Sequence, residues 1–174
     1  MPVNKYYTGD MNPQYPVQEQ FANAVFQQAG VPWTSKCEDN LSPKGVNAGC
    51  VPKNEVYYSV DNGCCRVNLV LSTSLPIDHV SIEFLKIDPS KKDYQKNNLT
   101  DMEIKVVRKV FPNAKIKTFT NEGYPPSVRG LELWPLGPDE KQENEITAPA
   151  TQSKLADALK KAVDLTEYLL RAEM

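Results

Sequence analysis

Four cysteines and one histidine are the residues of this 174-residue chain most able to do chemistry. Twelve residues separate Cys37 from Cys50, and thirteen more lead to the adjacent pair Cys64-Cys65. Thiolates that hold a structural zinc must converge, and they usually do so from a knuckle with two residues between ligands. The spacing here has no knuckle, and neighbours on a strand point to opposite faces. Cys64 and Cys65 therefore diverge, and no metal is expected. A cysteine nucleophile needs a base within hydrogen-bond reach. The only imidazole belongs to His79. The hairpin register derived below sets it about five residues along the strands from Cys65, on the order of 16 Å at ~3.3 Å per residue. What remains is structural. Cys37, Cys50, Cys64 and Cys65 form disulfides in one of three pairings, or stay as buried thiols. A bridge closing a loop of ~15 residues contributes about 3 kcal/mol in the chain-entropy account.

Asp78-His79, with Ser72, Ser74 and Ser81 nearby, invites a hydrolase reading. No Gly-x-Ser-x-Gly elbow is present, and adjacent Asp and His on a strand point apart. His79 is therefore expected on a solvated sheet face. The carboxylates Glu83 with Asp88, and Asp139 with Glu140, fall in charged stretches and are expected to be solvated. Lys105, Arg108, Lys109, Lys115 and Lys117 gather toward a basic patch, but the nearby Phe111 and Phe119 look like core, so no nucleic-acid partner is expected. The segment Asn121-Glu122-Gly123-Tyr124-Pro125-Pro126-Ser127-Val128-Arg129 is a proline-stiffened loop presenting Tyr124 and Arg129. Trp33 and Trp134 lie at other loop boundaries. Rigid loops bearing Tyr, Trp and Arg are common material of protein–protein hot spots. Tyr124, Arg129, Trp134 and Trp33 are thus the candidate binding residues. No residue is assigned as catalytic, and no cofactor is expected.

Elements must position these residues. Residues 1–16, rich in Tyr, Asn and Pro, suggest an extended arm. Val17–Ala29 is a helix whose stripe is Val17, Phe21, Ala24, Val25 and Gln28, stopped by Gly30 and Pro32. Residues 31–54 form a long irregular loop whose two cysteines tether it. Glu55–Val60 and Cys64–Leu71 flank Asn62-Gly63, a strong hairpin signal. A type I′ turn on those two residues sets Asp61 opposite Cys64, Val60 opposite Cys65, Tyr58 opposite Val67 and Val56 opposite Leu69. A third strand, Asp78–Ile87, then pairs Leu69 with Val80, Val67 with Ile82 and Cys65 with Phe84. One apolar face results: Val56, Tyr58, Val60, Cys65, Val67, Leu69, Leu71, Val80, Ile82 and Phe84. The other face carries Glu55, Tyr57, Ser59, Arg66, Asn68, His79, Ser81 and Glu83. Thr100-Asp101-Met102-Glu103 is a capping box that starts a helix at Asp101, with a stripe of Met102, Val106, Val107 and Val110. Ala114–Phe119 and Val128–Trp134 are two more strands. A polar linker over 137–150 leads to a helix from about Thr151 to Ala172, striped by Leu155, Ala158, Leu159, Ala162, Val163, Leu169 and Leu170.

The fold class expected is α+β: an antiparallel sheet of about five strands with a central three-stranded meander, covered by three amphipathic helices in a two-layer sandwich. One domain spans 1–174, long enough to bury roughly 70% of its unfolded surface. The hydrophobic fraction of 40% and charged fraction of 24% are ordinary for a globule. A net charge of −2 gives no global pull toward nucleic acid or an anionic membrane. No apolar run suits membrane insertion, and Met1-Pro2-Val3-Asn4-Lys5 has no apolar core of a signal peptide. Cysteines in a loop favour a mature exported chain, periplasmic or secreted. The expected function is a non-catalytic protein-binding domain, of the kind found in an inhibitor or a toxin-neutralising immunity protein, whose partner is another protein. The alternatives are a small exported hydrolase without a recognisable motif, which His79→Ala would test, and a structural subunit of a surface assembly that docks through residues 1–16.

Overall fold

Strand and helix signals along the chain resolve into one antiparallel sheet with three helices. The computed structural model describes residues 15–33, 35–38, 55–63, 65–87, 96–97, 99–119, 127–134 and 146–172. In chain order the elements are α1 (Pro16–Ala29), β1 (Ser35–Glu38), β2 (Glu55–Asn62), β3 (Cys65–Ser72), β4 (Val80–Ile87), β5 (Lys96–Asn97), α2 (Asp101–Val110), β6 (Lys115–Phe119), β7 (Ser127–Trp134) and α3 (Pro149–Ala172). The sheet has seven strands in the order β1-β2-β3-β4-β7-β6, with β5 paired to β4 off that path. All pairings are antiparallel. The α+β class holds, and all five expected strands are present. Short β1 and β5 extend the sheet. β1 lies inside the stretch expected to be irregular, where it adds to the free edge of β2.

The central meander forms with its turn displaced by one position. Asn62 pairs with Cys65, Val60 with Val67, Tyr58 with Leu69 and Val56 with Leu71. Gly63-Cys64, not Asn62-Gly63, thus spans the two strands. The strands consequently slide by two residues from the expected register. Two contacts hold Asn62 and Asp61 in the ladder. The Asn62 amide donates to Thr166 Oγ1 at 2.9 Å, and Asp61 forms a two-pronged pair with Arg66 at 2.6 and 3.0 Å. Gly63, at φ 62°, takes the first central position, where either primed hairpin turn needs positive φ. The second pairing slides equally: Leu71 meets Val80, Leu69 meets Ile82 and Val67 meets Phe84. A slide of two preserves which side every residue occupies. All ten residues of the expected apolar face are accordingly buried in a shared core with the helices.

The helices start where expected to within about two residues, but two of them are rotated. α1 buries Gln18, Phe21, Ala22, Val25, Phe26 and Ala29, leaving Val17 and Gln28 exposed. Gln18 is tolerated inside because its amide donates to the carbonyls of Ser72 and Ser74 at 3.1 and 3.2 Å. The helix ends on Gly30, whose φ of 71° is the left-handed cap. α2 has the full capping box: the Glu103 N–H donates to Thr100 Oγ1, and the Thr100 N–H donates to Glu103 Oε1. Its buried residues are Glu103, Ile104 and Val107, so Met102 and Val110 of the expected stripe turn outward. α3 buries Leu155, Ala156, Ala158, Leu159, Ala162, Leu165, Thr166 and Leu169. It packs on α1, α2 and the sheet.

The three helices share their core with one face of the sheet. Val70 and Leu85 on the other face are buried as well, but lie outside that core.

Candidate functional site

The serine–aspartate–histidine group is the first place to look for chemistry. Ser74 Oγ donates to Asp78 Oδ1 at 2.7 Å, and the Ser72 and Ser74 hydroxyls stand 3.1 Å apart. Ser72 Oγ accepts the backbone N–H of Asp78 and of His79, at 3.1 and 3.3 Å. The Ser74 hydroxyl, then that of Ser72, holds the Asp78 carboxyl below the usual carboxylate range. A triad needs the acid on the imidazole and the imidazole on the hydroxyl. Here the acid takes the hydroxyl directly, and the exposed imidazole acts on Asp78 only as the smallest electrostatic influence. The group is a hydrogen-bonded turn between β3 and β4. His79 is level with Ser72, seven residues along the strand from Cys65, on the order of 23 Å.

The second sheet face carries a row of polar residues running across six strands. Ser35, Ser59, Asn68, Glu83, Glu132 and Lys115 stand opposite one another in turn, on β1, β2, β3, β4, β7 and β6. Ser59 Oγ donates to Asn68 Oδ1 at 2.5 Å, and Asn68 Nδ2 points at Glu83 Oε2 at 3.5 Å. Donors thus run in one direction toward a carboxylate only 3% exposed. Glu83, expected to be solvated, is instead buried, because Asn68 supplies what water would. Nearby Tyr57 is pushed far above its ordinary acidity by burial, then by the Glu83 carboxylate and by Glu55. The buried, internally directed part of the row, Ser59, Asn68 and Glu83, locks strand register.

The third region is α2 and the hairpin of β6 and β7 that follows it in the chain. Met102 and Val110 on α2 are 69% and 43% exposed, with half-buried Val106 between them at helical spacing. Ile116 on β6 is 40% exposed. It lies on the helix-bearing side, since it pairs with Leu131, which pairs with Phe84. From 101 to 116 the exposed charges are Lys105, Arg108, Lys109 and Lys115 against Asp101 alone. Glu103 is withdrawn from this surface, buried and paired with Lys86 at 3.0 Å. Arg108 donates to the Ala114 carbonyl at 3.3 Å, tying the helix end to the turn before β6. Lys105, Arg108, Lys109 and Lys115 of the expected basic group are thus exposed, and so are Met102 and Val110, which the sequence placed in the core.

The expected binding residues fall in different places. Trp33 is buried, its Nε1 donating to Asn23 Oδ1 at 2.7 Å and its ring edge-on to Tyr58 at 5.8 Å. Trp134 is buried in the core beside Leu131 and Leu133. A register shift between Ile82 and Glu83 carries it there: β7 has an extra residue, Leu133, so that Trp134 pairs with Ile82. Both tryptophans are core residues. Arg129 is the extra residue of a second irregularity, between the pairs Lys117–Gly130 and Thr118–Val128. Tyr124 lies outside the described residues, in the segment joining β6 to β7.

Of the cysteines, Cys65 is buried on the helix-bearing side. Cys37 stands in β1 opposite Tyr57, while Cys50 and Cys64 lie outside the described residues. No disulfide is present among the described residues. Among them, too, no group of three or more His, Cys, Asp and Glu residues suits a metal ion, and no helix is long and apolar enough to cross a membrane.

No family model matches the chain, and no curated protein or solved structure matches it.

Proposed function

We propose that this chain is a protein-recognition domain whose contact surface is the exposed side of α2 with the β6–β7 hairpin that follows it. One observation carries the reading: α2 exposes Met102 and Val110 on a helix whose other exposed side chains include Lys105, Arg108 and Lys109. Apolar groups rimmed by polar ones mark interaction surfaces, and Met and Arg are enriched in interface cores. Arg129, at the irregularity of β7, belongs to the same hairpin, and Tyr124 lies in the segment that closes it. As a class, an exported inhibitor or toxin-neutralising immunity protein suits this reading. Four cysteines, two of them in the stretch 31–54, support export.

Immobilised protein tests the surface by comparing what it captures from a native extract with what variants capture. Each variant is first checked for an unchanged thermal midpoint. A Met102→Asp, Val110→Asp pair is expected to lose the captured proteins. Tyr168→Asp, on the exposed side of α3, is expected to retain them. Equal capture by both variants overturns the surface. Arg129→Ala and Tyr124→Ala then show whether the hairpin contributes.

A further inference from the structure

The sheet ends on β6. Among the described residues β6 pairs only with β7, and no described strand lies along its other edge, which carries its own row of backbone donors and acceptors. Such an edge is a template for another extended chain. Three features limit what that chain is. β6 begins Lys115-Ile116-Lys117. A second copy laid antiparallel with Ile116 against Ile116 would set Lys115 opposite Lys117, which is destabilising, so that apolar register is disfavoured. The same charges favour a partner of opposite sign. Lys105 and Lys109, one helical turn apart on α2, add to that field, although the whole chain carries −2. Finally, opposite residues in an antiparallel pair share a face. A residue set against Ile116 therefore faces the helix-bearing side, where α2 exposes Met102 and Val110. A residue set against Lys115 faces the other way.

Building on the recognition surface proposed above, we infer that the partner supplies an extended segment of alternating acidic and apolar residues, which adds to β6 as an eighth strand. Its apolar side chains cover Ile116 and the outward stripe of α2. Its carboxylates lie on the side of Lys115.

The test is fluorescence anisotropy of labelled ten-residue peptides with the whole chain. A peptide alternating Glu and Val is expected to bind saturably and to weaken as salt rises. Its Lys–Val counterpart is expected not to bind. Reversing both Lys109→Glu and Lys115→Glu is expected to weaken binding by about tenfold or more. N-methylation of alternate amides on one edge of the peptide abolishes strand pairing and is expected to abolish binding; on the opposite edge it is expected to leave binding intact. Equal binding of both methylated peptides overturns the strand geometry. Binding of a single-stranded oligonucleotide or of phosphatidylserine vesicles at this surface, with no binding of the acidic peptide, overturns the partner class. If Met102→Asp, Val110→Asp abolishes protein capture while no acidic peptide binds, the recognition surface stands and strand addition falls.

Discussion

Single atoms decide several properties of this molecule. A Cβ built on Gly130 would lie 2.4 Å from Leu85 Cδ2 and 3.1 Å from the Phe84 carbonyl oxygen. The glycine is required by close approach of β7 to β4. Gly130→Ala is expected to destabilise by about 1–3 kcal/mol as an overpacked site, measured by chemical denaturation. Adding Leu85→Ala should recover part of the difference, since it removes the nearer atom. Tyr57 gives a pH signature. Its phenol loses its proton less readily in the folded chain than in the unfolded one. Folding stability from this group is therefore full below about pH 10, the ordinary tyrosine value, and falls as pH rises above it. The expected slope is up to about 1.4 kcal/mol per pH unit for one proton. Denaturation midpoints between pH 8 and 11 should fall more steeply for the wild type than for Tyr57→Phe. Parallel curves would remove Tyr57 as the cause.

At the scale of elements, α2 shows why periodicity alone misjudged its orientation. Met102, Val106, Val107 and Val110 are the obvious apolar stripe, yet the helix buries Glu103, Ile104 and Val107. Glu103 has two tasks: it closes the capping box, and it takes Lys86 from β4. That ion pair joins helix to sheet and fixes the rotation. The capping box itself was legible in the sequence; the distant lysine was not. Glu103→Ala is expected to cost about 3 kcal/mol, because it leaves the Lys86 ammonium with less compensation and opens the cap. Replacing both residues, with Lys86→Met, should restore part of the loss in a thermal melt. The expected strand pattern placed all ten core residues correctly because alternation survives a slide of two. The same slide hid the polar row: in the expected register Ser59 faced Arg66 and Asn68 faced Ser81. Only with the observed pairing do Ser59, Asn68 and Glu83 line up. The burial of the two tryptophans was hidden for a related reason. An extra residue in β7 and a hydrogen bond to Asn23 are contacts between elements, which local sequence does not encode.

Across the whole molecule the sheet geometry bears on the cysteines. Cys37 is level with Tyr57, and Cys65 is level with Asn62, five residues further along β2. That separation is on the order of 16 Å, beyond the ~7 Å that bridged Cα atoms span. A direct Cys37–Cys65 bridge is therefore ruled out, and with it one of the three pairings of four cysteines. Non-reducing peptide mapping is expected to contain no fragment joining these two positions; finding one would mean β1 pairs elsewhere. The α+β class was readable from the order of strand and helix signals. The one-sided placement of all three helices follows from a single apolar face.

The displaced hairpin tip has a consequence for how such a chain tolerates change. Side-chain direction repeats every second position, so regular pairing in the ribbon accepts growth or loss in even steps. An insertion of one residue inside either strand would exchange oily and watery sides along everything beyond it, unless an irregularity like those of β7 absorbed it. Two added residues would merely lengthen the ribbon, moving its corner outward while the floor beneath the helices stays intact.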